Sequence, residues 1–493
     1  MRKTSAVLSA HAAVKPILLT VALCLLTVVP AVCDDDLSSV ELFNGTEAEL
    51  VSASRSPRPA SQTAENITVV TADEIASLNA HTLSDILYTV AGIQLEIIAT
   101  PGANTNIEVQ GSDFDHVLVL IDNVPINSLS DNFPDLAAIP AQIIDRIEIV
   151  KGAASSSWGS ALGGVINVIT KMPQQDSALA GTISGSYGTR ETVDGRVEAT
   201  GTVERLGYYL SAGKLRSDGL RPNNQSDLDN FYGKLHYELP VRGGITLSSF
   251  YTTKKSGILD LPTLHVNDRK RELVSSLALQ LPVDKRLTLD LALRSRQSNM
   301  EMFVIRTPGG ALLQSGLEED DSTGGSVKLS WQGESQLIVG GLDYDHVRVR
   351  LRGGLLPGET ARGADRIGVY LNDTVTIGNF AVTPSARFDW TGFGGNRFSP
   401  SFGITYALSE NSLLRGYTAR GYSLTSLNRA NSTEKVWTSQ FGIESGEVPY
   451  LWLKATLFRN DTWDVLSNEQ SNTVQRRQLK QGGEFELRTV PVF

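Results

Sequence analysis

The stretch DRIEIVKGAASSSWGSALGGVINVITK, residues 145–171, reads as two strands joined by a turn of small residues. Apolar and polar residues alternate over 145–150, which is the two-residue period of a β-strand. Almost every residue from 153 to 164 is Gly, Ala or Ser, so the backbone there can turn sharply and lie against other backbone. Val165 begins a second run rich in β-branched residues. On its own, this pattern predicts a hairpin or a strand–helix connection.

Several short motifs make the stretch more specific than its glycines. Arg-Ile-Glu at 146–148 and Lys-Gly at 151–152 precede an aromatic residue before Gly-Ser, and the run Gly-Gly-Val-Ile-Asn-Val-Ile-Thr-Lys ends at 171. This arrangement resembles the segment that closes the plug of TonB-dependent outer-membrane receptors. Ala153 stands where that family usually has proline, and Trp158 where it usually has tyrosine. The resemblance implies an all-β transmembrane antiparallel barrel, of 22 strands in the family, with an N-terminal α+β plug domain in its lumen.

Length and composition favour one large β structure. Gly accounts for 44 of 493 residues, Met for only 4, and charged residues for an ordinary 20%. Beyond the first 33 residues no apolar run reaches the roughly 20 residues that a membrane-spanning helix needs. Because only helices and closed barrels satisfy their backbone groups in lipid, a membrane location would require a barrel.

Residues 1–33 have the features of a secretory signal peptide, with basic residues near the start, an apolar run over 16–32 and small residues before Asp34. A single anchoring helix is the alternative. Cleavage after Cys33 would remove both cysteines, Cys24 and Cys33, consistent with an oxidising exterior and no disulfide framework. The remaining chain would carry 41 basic and 54 acidic residues, a charge of −13, after loss of three basic residues. That charge argues against nucleic acid as a partner.

Residues 34–57 are acidic and then rich in Ser, Pro and Arg, and we interpret them as a periplasmic tether. Part of the tether resembles the TonB box, through which the inner-membrane protein TonB engages family members. Such a segment needs free backbone groups, because the partner adds it as a strand to its own sheet. The residues of the predicted TonB box are Glu49, Leu50, Val51, Ser52 and Ala53.

Residues 58–173 carry the order of elements expected of the plug. A capping box at 71–74 opens one predicted helix, which runs through Leu78. A second helix is predicted over 82–91, because its apolar residues lie on one face. Strands are predicted over 66–70, 107–111 and 117–123, the last apolar on both faces and therefore buried. Gln110 replaces an arginine common in the family, which puts any coupling role of that arginine in doubt.

Residues 177–493 alternate between apolar and polar over many segments separated by turn residues. One face of each segment would suit lipid and the other a wet lumen, which is the pattern of a transmembrane barrel. About sixteen such segments are present, fewer than the family's twenty-two, so we expect an incomplete barrel in a C-terminally truncated chain. A soluble β-sandwich is the alternative. The clearest segments are those over 287–294, 347–352 and 380–390.

The sequence lacks the spacings of common catalytic and cofactor sites. It contains no HExxH, no GxxxxGK[ST] and no GxSxG, so we predict neither an enzyme nor a resident cofactor or metal. An acidic group in an early barrel segment leaves two interpretations open, a calcium-binding loop like that of the cobalamin receptor or an ordinary solvated loop. Its members are Asp218, Asp227 and Asp229.

The resemblance implies an energy-coupled importer in the Gram-negative outer membrane, in contact with lipid and with TonB. Its ligand would be cobalamin or a ferric siderophore, bound between plug loops and barrel. A passive porin and a non-transporting ligand-binding protein are the alternatives. Three plug loops, 99–106, 112–116 and 128–135, are the ones expected to face the ligand. From these the predicted contacts are Asn104, Thr105, Phe114, Asn132 and Phe133.

Overall fold

The structure is a computed structural model that describes residues 49–50, 54–97, 103–307, 309–353, 358–424, 427, 433–468 and 473–489. Its first element is a two-stranded antiparallel pair formed by β1 (Glu49–Leu50) and β2 (Arg58–Pro59). In its register, Leu50 lies opposite Arg58. The backbone of Glu49 and Leu50, two residues of the predicted TonB box, is therefore paired with the first two residues of the plug range, whereas Val51, Ser52 and Ala53 lie outside the described residues.

The plug is an α+β unit built on a five-stranded sheet of order β3-β8-β9-β6-β7. Strands β6 and β9 are parallel, and the other pairs of this sheet are antiparallel. A separate hairpin pairs β4 with β5. The elements are β3 (Asn66–Val70), α1 (Ala72–Ser77), α2 (Leu83–Leu87), β4 (Ile93–Ile97), β5 (Thr105–Val109), β6 (Val117–Ile121), β7 (Val124–Pro125), β8 (Ile144–Lys151), α3 (Ser155–Trp158) and β9 (Gly164–Thr170). Single 3₁₀ turns cover Ala60–Gln62, Phe114–His116, Leu136–Ala138 and Ala141–Ile143.

Helices α1 and α2 begin as the sequence predicts and end earlier. Thr71 and Glu74 form the reciprocal capping box at the start of α1. Helix α2 ends at Leu87, not near residue 91, because the amides of Thr89 and Val90 bond to carbonyls only three residues back. Val90 nevertheless stays buried with the predicted apolar face of α2. The helix therefore supplies the expected core contacts in fewer turns.

The segment over 153–164 contains the short helix α3 where the sequence predicted only a turn. It ends at Gly159, whose φ of +79° is a conformation that favours glycine. At Gly164 a Cβ would lie 2.5 Å from the carbonyl oxygen of Val150, so this position requires glycine for close backbone approach. The two flanking strands, β8 and β9, are confirmed and pair antiparallel.

Sixteen consecutive antiparallel strands form a single sheet, here called the barrel sheet, which confirms the predicted fold class and number of segments. Strands β10 and β25 are its edges in the described part of the chain. The strands are β10 (Ala180–Gly188), β11 (Thr192–Val203), β12 (Leu206–Ser217), β13 (Ser226–Glu238), β14 (Gly244–Leu261), β15 (Leu264–Pro282), β16 (Leu287–Arg306), β17 (Leu312–Gln332), β18 (Gln336–Gly353), β19 (Glu359–Ile377), β20 (Phe380–Thr391), β21 (Arg397–Ser409), β22 (Ser412–Leu424), β23 (Thr433–Ser445), β24 (Leu451–Asn468) and β25 (Thr473–Thr489).

The inner face of the barrel sheet packs against the plug, and its outer face carries exposed apolar side chains. Tyr209, Tyr232 and Phe250 are buried in the same cluster as the core of the plug. Leu293 and Trp390 are exposed on the opposite face, as the alternation of β16 and β20 predicts for lipid contact. None of the helices within the described ranges is long and apolar enough to span a bilayer.

Strand β18 reverses the predicted polarity near its C-terminal end. Val347 and Val349 are buried on the inner face, where they pack with the plug residue Leu129. Arg350 and Arg352 lie on the outer face and form ion pairs with neighbouring strands. The prediction of an apolar lipid face here was wrong, because the plug supplies an apolar partner inside the barrel sheet.

Candidate functional site

The plug loop after β7 is held in shape by Asn127. Its amide oxygen accepts a hydrogen bond from the Val119 amide at 2.8 Å, and its amide nitrogen donates to the Val117 and Asn132 carbonyls at 2.9 Å. Asn132 has a φ of +62° and donates to the Leu424 carbonyl at 2.8 Å. These bonds fix the loop over 128–135, here called the apex loop, against the barrel sheet.

The apex loop is bonded to two acidic side chains of β17. Glu318 accepts hydrogen bonds from the hydroxyls of Ser128 at 3.1 Å and Ser130 at 2.5 Å. Asp320 accepts one from the Leu129 amide at 2.8 Å. The side chain of Leu129 also packs on buried apolar groups of the barrel sheet. A polar and an apolar contact therefore attach the same loop to the wall.

Asp135, at the end of the apex loop, is buried between two lysines of the barrel sheet. Lys254 lies 2.7 Å and Lys270 3.5 Å from its carboxylate. Burial alone would raise the pKa of Asp135, but the two ammonium groups hold it below its usual range. Lys254 also donates to the Asn104 amide oxygen at 2.5 Å, which connects the plug loop that contains Asn104 to the same position.

A chain of charges continues from this position along the inner wall. Lys270 pairs with Glu272 at 3.0 Å, and Arg296 pairs with Glu272 at 2.6 Å. Arg296 is almost completely buried and approaches Asp320 at 3.7 Å. A small cavity between plug and wall is lined by members of this chain. The cavity is polar, and a ligand bound in it could form hydrogen bonds with both the plug and the barrel sheet.

The structure places the five predicted contacts in different surroundings. Asn104 and Phe133 line this cavity, and the Phe114 ring meets the Phe133 ring edge-on with centroids 5.7 Å apart. Asn132 is engaged with the barrel sheet through its side chain. Thr105 is buried and donates to the Ala103 carbonyl, so a ligand could reach it only if the loop moved. Their role as contacts stays a prediction.

His116 forms a second link between plug and barrel sheet. Its Nε2 atom contacts the Glu434 carboxylate and lies 3.7 Å from that of Asp115. Burial alone would lower the pKa of His116, but Asp115 and the bond with Glu434 outweigh it and raise the pKa to about 9. The side chains of Asp113, Asp115 and His116 each offer one ligand atom, and these atoms lie within 4.8 Å of one another, close enough to share a cation. The engagement of His116 by Glu434 makes an ion pair the simpler account.

The acidic group considered as a calcium loop is already paired with cations. Lys214 lies 2.7 Å from Asp227 and 2.9 Å from Asp229, both on β13. Arg216 lies 3.4 Å from Asp218. These exposed pairs agree with the solvated interpretation of the three carboxylates.

The tether joins the barrel sheet through Arg55. Its guanidinium makes two bonds to Asp343 on β18, at 2.6 and 3.0 Å. It also lies between two aromatic rings, 4.7 Å from the Trp158 centroid and 4.6 Å from that of Tyr370. Asp343 is shared with Arg387 at 2.7 Å. We call this set, Arg55 with Asp343, Trp158, Tyr370 and Arg387, the tether lock.

Three residues further on, Arg58 makes a second buried attachment. It pairs with Glu65 at 2.6 Å and donates to Thr374 at 3.1 Å on β19. Lys328 on β17 donates to the Arg55 carbonyl at 2.7 Å. The tether is therefore fixed directly after the predicted TonB box.

Gln110, which stands where the family often has arginine, bonds to the wall as a neutral group. Its amide donates to Glu484 on β25 at 2.8 Å, and Lys151 donates to the same carboxylate at 2.9 Å. Gln440 on β23 donates to the Gln110 oxygen at 3.3 Å. A hydrogen-bonded amide pair therefore occupies this contact between plug and wall.

Sequence reasoning did not identify the wall residues of these sites. Alternation places Lys254, Lys270 and Arg296 on the inner faces of their strands, and this signal was available in the sequence. The partner that Lys254 and Lys270 share could not be deduced, because Asp135 is more than 100 positions away from both in the chain.

Two family descriptions match the chain. TonB-dependent Receptor Plug Domain matches residues 59–165, and TonB dependent receptor-like, beta-barrel matches residues 183–488. Together they cover the apex loop and the wall residues that hold it, whereas Arg55 and Arg58 lie just before the first matched range.

Individual relatives match parts of the chain. The vitamin B12 transporter BtuB of Vibrio cholerae is 35% identical over 159 residues, which are 31% of this chain and 26% of that protein. The aligned part thus spans about a quarter of the length of this curated relative. Among solved structures, the ferric yersiniabactin uptake receptor FyuA from Yersinia pestis has a TM-score of 0.72 at 16% identity. The match covers 86% of this chain and 76% of the FyuA chain. The alcaligin outer-membrane receptor FauA from Bordetella pertussis has a TM-score of 0.71 at 16% identity. The match covers 92% of this chain and 82% of the FauA chain.

Proposed function

The chain belongs to the TonB-dependent receptor family, and from that premise we propose that it imports a scarce small molecule across the outer membrane by energy-coupled opening of its plug. The observation that carries this proposal is the tether lock. Arg55 follows the predicted TonB box by two residues and is bonded to the barrel sheet and stacked on the plug residue Trp158. Force applied to the TonB box would therefore reach the plug through this contact.

The ligand that we propose is cobalamin or a ferric siderophore. The relative matched in sequence is a vitamin B12 transporter, and the structural neighbours are siderophore receptors, whose low identity supports the fold alone. Either ligand would bind at the outer ends of the apex loop and the Asn104 loop. There it would meet the Phe114 and Phe133 rings and the charged wall beneath them.

Coupling would follow from the bonds that a ligand disturbs. Ser128, Leu129 and Ser130 are bonded to two acidic groups of the wall. A ligand that replaced these bonds would alter how the plug is held, and TonB would act on the tether from the periplasm. TonB is thus the proposed partner, and it would add the segment 49–53 to its own sheet.

The Leu50→Pro variant tests this function. Proline removes the backbone N–H that strand addition requires, so uptake should be lost while surface binding of the ligand remains. Binding and uptake of radiolabelled cobalamin and of several ferric chelates are measured in whole cells. Pro57→Ala, a change at an exposed position between the predicted TonB box and the plug, is the control and should leave uptake unchanged. Normal uptake by Leu50→Pro would refute energy coupling through this segment.

A further inference from the structure

The small cavity between the apex loop and the wall contains buried hydrogen-bond donors that the described residues do not satisfy. Arg296 lines this cavity and pairs through its Nε atom with Glu272 at 2.6 Å. Its Nη1 and Nη2 atoms have no hydrogen-bond partner among the described residues, although only 1% of the side chain is exposed. Buried donors without an acceptor are costly, so these atoms are suited to an acceptor that enters the cavity.

Asp320 carries the complementary atom on the next strand. Its Oδ2 atom accepts the hydrogen bond from the Leu129 amide at 2.8 Å and lies 3.7 Å from Nη1 of Arg296, which is too far for a hydrogen bond. The other carboxylate oxygen, Oδ1, is buried and has no hydrogen-bond partner within the described ranges. Free donors and a free acceptor therefore belong to two neighbouring side chains of the same cavity.

The size and charge of the cavity restrict what can occupy it. Its volume of about 40 Å³ is enough for about two or three water molecules or for a polar group of that size. The titratable residues of its lining are five acidic side chains and two basic ones, Lys270 and Arg296, and both of these already pair with Glu272. An incoming carboxylate would add a negative charge beside Glu318 and Asp320, so an anionic group is disfavoured.

A primary carboxamide matches the free atoms without adding charge. Its oxygen can accept hydrogen bonds from Arg296, and its NH₂ group can donate to Oδ1 of Asp320. A carboxylate would satisfy Arg296 alone, and an apolar group would satisfy neither residue. The cavity therefore distinguishes these three kinds of group by their hydrogen bonds.

An apolar surface continues from the cavity toward the β16–β17 turn. Met300 lines the cavity, and Met302 and Val304 occupy the next two inward positions of β16. Val266 is opposite Val304, and Leu259 is opposite Val266, so all five side chains share the inner face of the barrel sheet. Met302 and Leu259 are 39% and 44% exposed. This surface is available to an apolar part of a ligand.

The neighbours of Met302 do not place a free charge on this surface. Asp268, opposite Met302 on β15, accepts hydrogen bonds from the amide and the hydroxyl of Ser256. Gly316, opposite Met302 on β17, has no side chain. An apolar ligand group over Met302 would therefore bury no unpaired charge of these neighbours.

We propose that Arg296 and Asp320 form a subsite for a primary carboxamide of the imported ligand, whose apolar body lies on Met300, Met302 and Val304. The subsite rests on the proposed function and selects between its two ligands. Cobalamin carries primary carboxamides around a macrocycle that is otherwise largely apolar. An anionic ferric chelate would need unpaired cations, whereas both cations of the cavity lining are already paired.

The experiment measures equilibrium binding to the full chain in isolated outer membranes. The probes are cyanocobalamin, its separate monocarboxylic acids, in each of which one side-chain carboxamide is hydrolysed, and an anionic ferric catecholate. At least one of the acids should bind the unaltered protein about tenfold or more weakly than cyanocobalamin, because it loses the bond to Asp320 and gains repulsion. The ferric catecholate should bind more weakly than cyanocobalamin.

Asp320→Asn tests the subsite through a change of preference, which misfolding could not produce. The asparagine oxygen can still accept the bond from the Leu129 amide, and its NH₂ group offers a donor to a carboxylate. The preference for cyanocobalamin over the discriminated acid should fall to within about twofold or reverse. Asp321→Asn is the matched control, because Asp321 is the exposed neighbour opposite Arg348, and it should keep the full preference.

Four results would overturn the proposal. They are equal binding of cyanocobalamin and all its acids, which would assign water alone to the free atoms, an unchanged preference in Asp320→Asn, the same change in both variants, and tighter binding of the ferric catecholate than of cyanocobalamin. Uptake by the unaltered protein and by Leu50→Pro is measured in parallel. Energy-coupled uptake of the ferric chelate alone would reject the subsite and keep the transport function. The expected preferences without energy-coupled uptake would keep the subsite and reject the transport function.

Discussion

Arg55 of the tether and Asp343 of the barrel sheet are joined by two hydrogen bonds of 2.6 and 3.0 Å, and the guanidinium also lies between the rings of Trp158 and Tyr370. Both charged side chains are mostly buried, with exposures of 11% and 9%. The contact therefore joins three parts of the protein, which are the tether, the closing segment of the plug and the wall.

Arg55→Ala should release the tether from the wall. Removing one partner of a buried ion pair leaves the other charge uncompensated, which typically costs about 3–5 kcal/mol. Asp343 keeps Arg387, so we expect the lower end of that range. A nitroxide at position 52 should become markedly more mobile by electron paramagnetic resonance, while ligand binding stays unchanged.

Arg216→Ala is the control for this experiment, because Arg216 is an exposed residue of β12 whose pair with Asp218 is also exposed. It should leave the spectrum at position 52 unchanged. An immobile tether in Arg55→Ala would show that the tether lock does not hold the predicted TonB box.

Asp135→Asn should loosen the apex loop. The change leaves Lys254 and Lys270 buried without their shared carboxylate, at a typical cost of about 3–5 kcal/mol. Because the pKa of Asp135 is lowered, its contribution is present above the ordinary aspartate range and is lost as pH falls through the folded value. Hydrogen exchange of the amides over 128–135 measures the effect and should rise severalfold at neutral pH.

The double variant Asp135→Leu/Lys254→Met tests whether the unpaired buried charge causes the loosening of the apex loop. Replacing Asp135 and Lys254 by apolar groups removes the uncompensated charge of Lys254, and Lys270 keeps its pair with Glu272 at 3.0 Å, so exchange should fall back toward that of the unaltered protein. Equal exchange in the single and double variants would count against the charge explanation.

The bond between His116 and Glu434 should make attachment of the plug dependent on pH. The folded pKa of His116 is about 9, above the ordinary value near 6.5. A raised pKa means that the stabilisation is complete below about pH 6.5 and is lost as pH rises through about 9. The largest contribution is about 3 kcal/mol, from the size of the shift.

Calorimetry of the unaltered protein and of His116→Gln, at about pH 6 and about pH 10, measures this dependence. The plug transitions of the two proteins should differ at the lower pH and converge at the higher one. The acidic neighbours Asp113 and Asp115 are kept in both proteins. A difference that did not change with pH would assign His116 a packing role only.

The sequence predicted the fold well wherever local pattern alone determines structure. The leucines of β16 face outward, and the two strands of the closing segment pair as expected. Strand β18 shows the limit of such reasoning, since Val347 and Val349 face the plug through contact with Leu129. Alternation shows that a strand has two faces, but a partner distant in sequence decides which face is inside.

The same limit applies to the candidate sites. The motif around Trp158 indicated the plug, but its stacking on Arg55 depends on how the tether returns to the wall. Turn composition selected Asn104 and Phe133 as surface residues, and both lie at the cavity. Composition could not show that Thr105 is buried, because the direction of its side chain is set by the hairpin of β4 and β5.

Phe133→Ala should weaken ligand binding without loss of fold. The Phe133 ring lines the cavity and meets the Phe114 ring edge-on, so its removal takes away an aromatic surface at the proposed ligand site. Loss of one such contact is expected to lower affinity about tenfold or more, as for aromatic groups at the centre of binding sites. The measurement is equilibrium binding of the ligand identified by the uptake screen. Phe231→Ala is the matched control, because Phe231 is exposed on the lipid-facing side of β13 and should leave affinity unchanged. Equal affinity of both variants and the unaltered protein would place the ligand elsewhere on the plug.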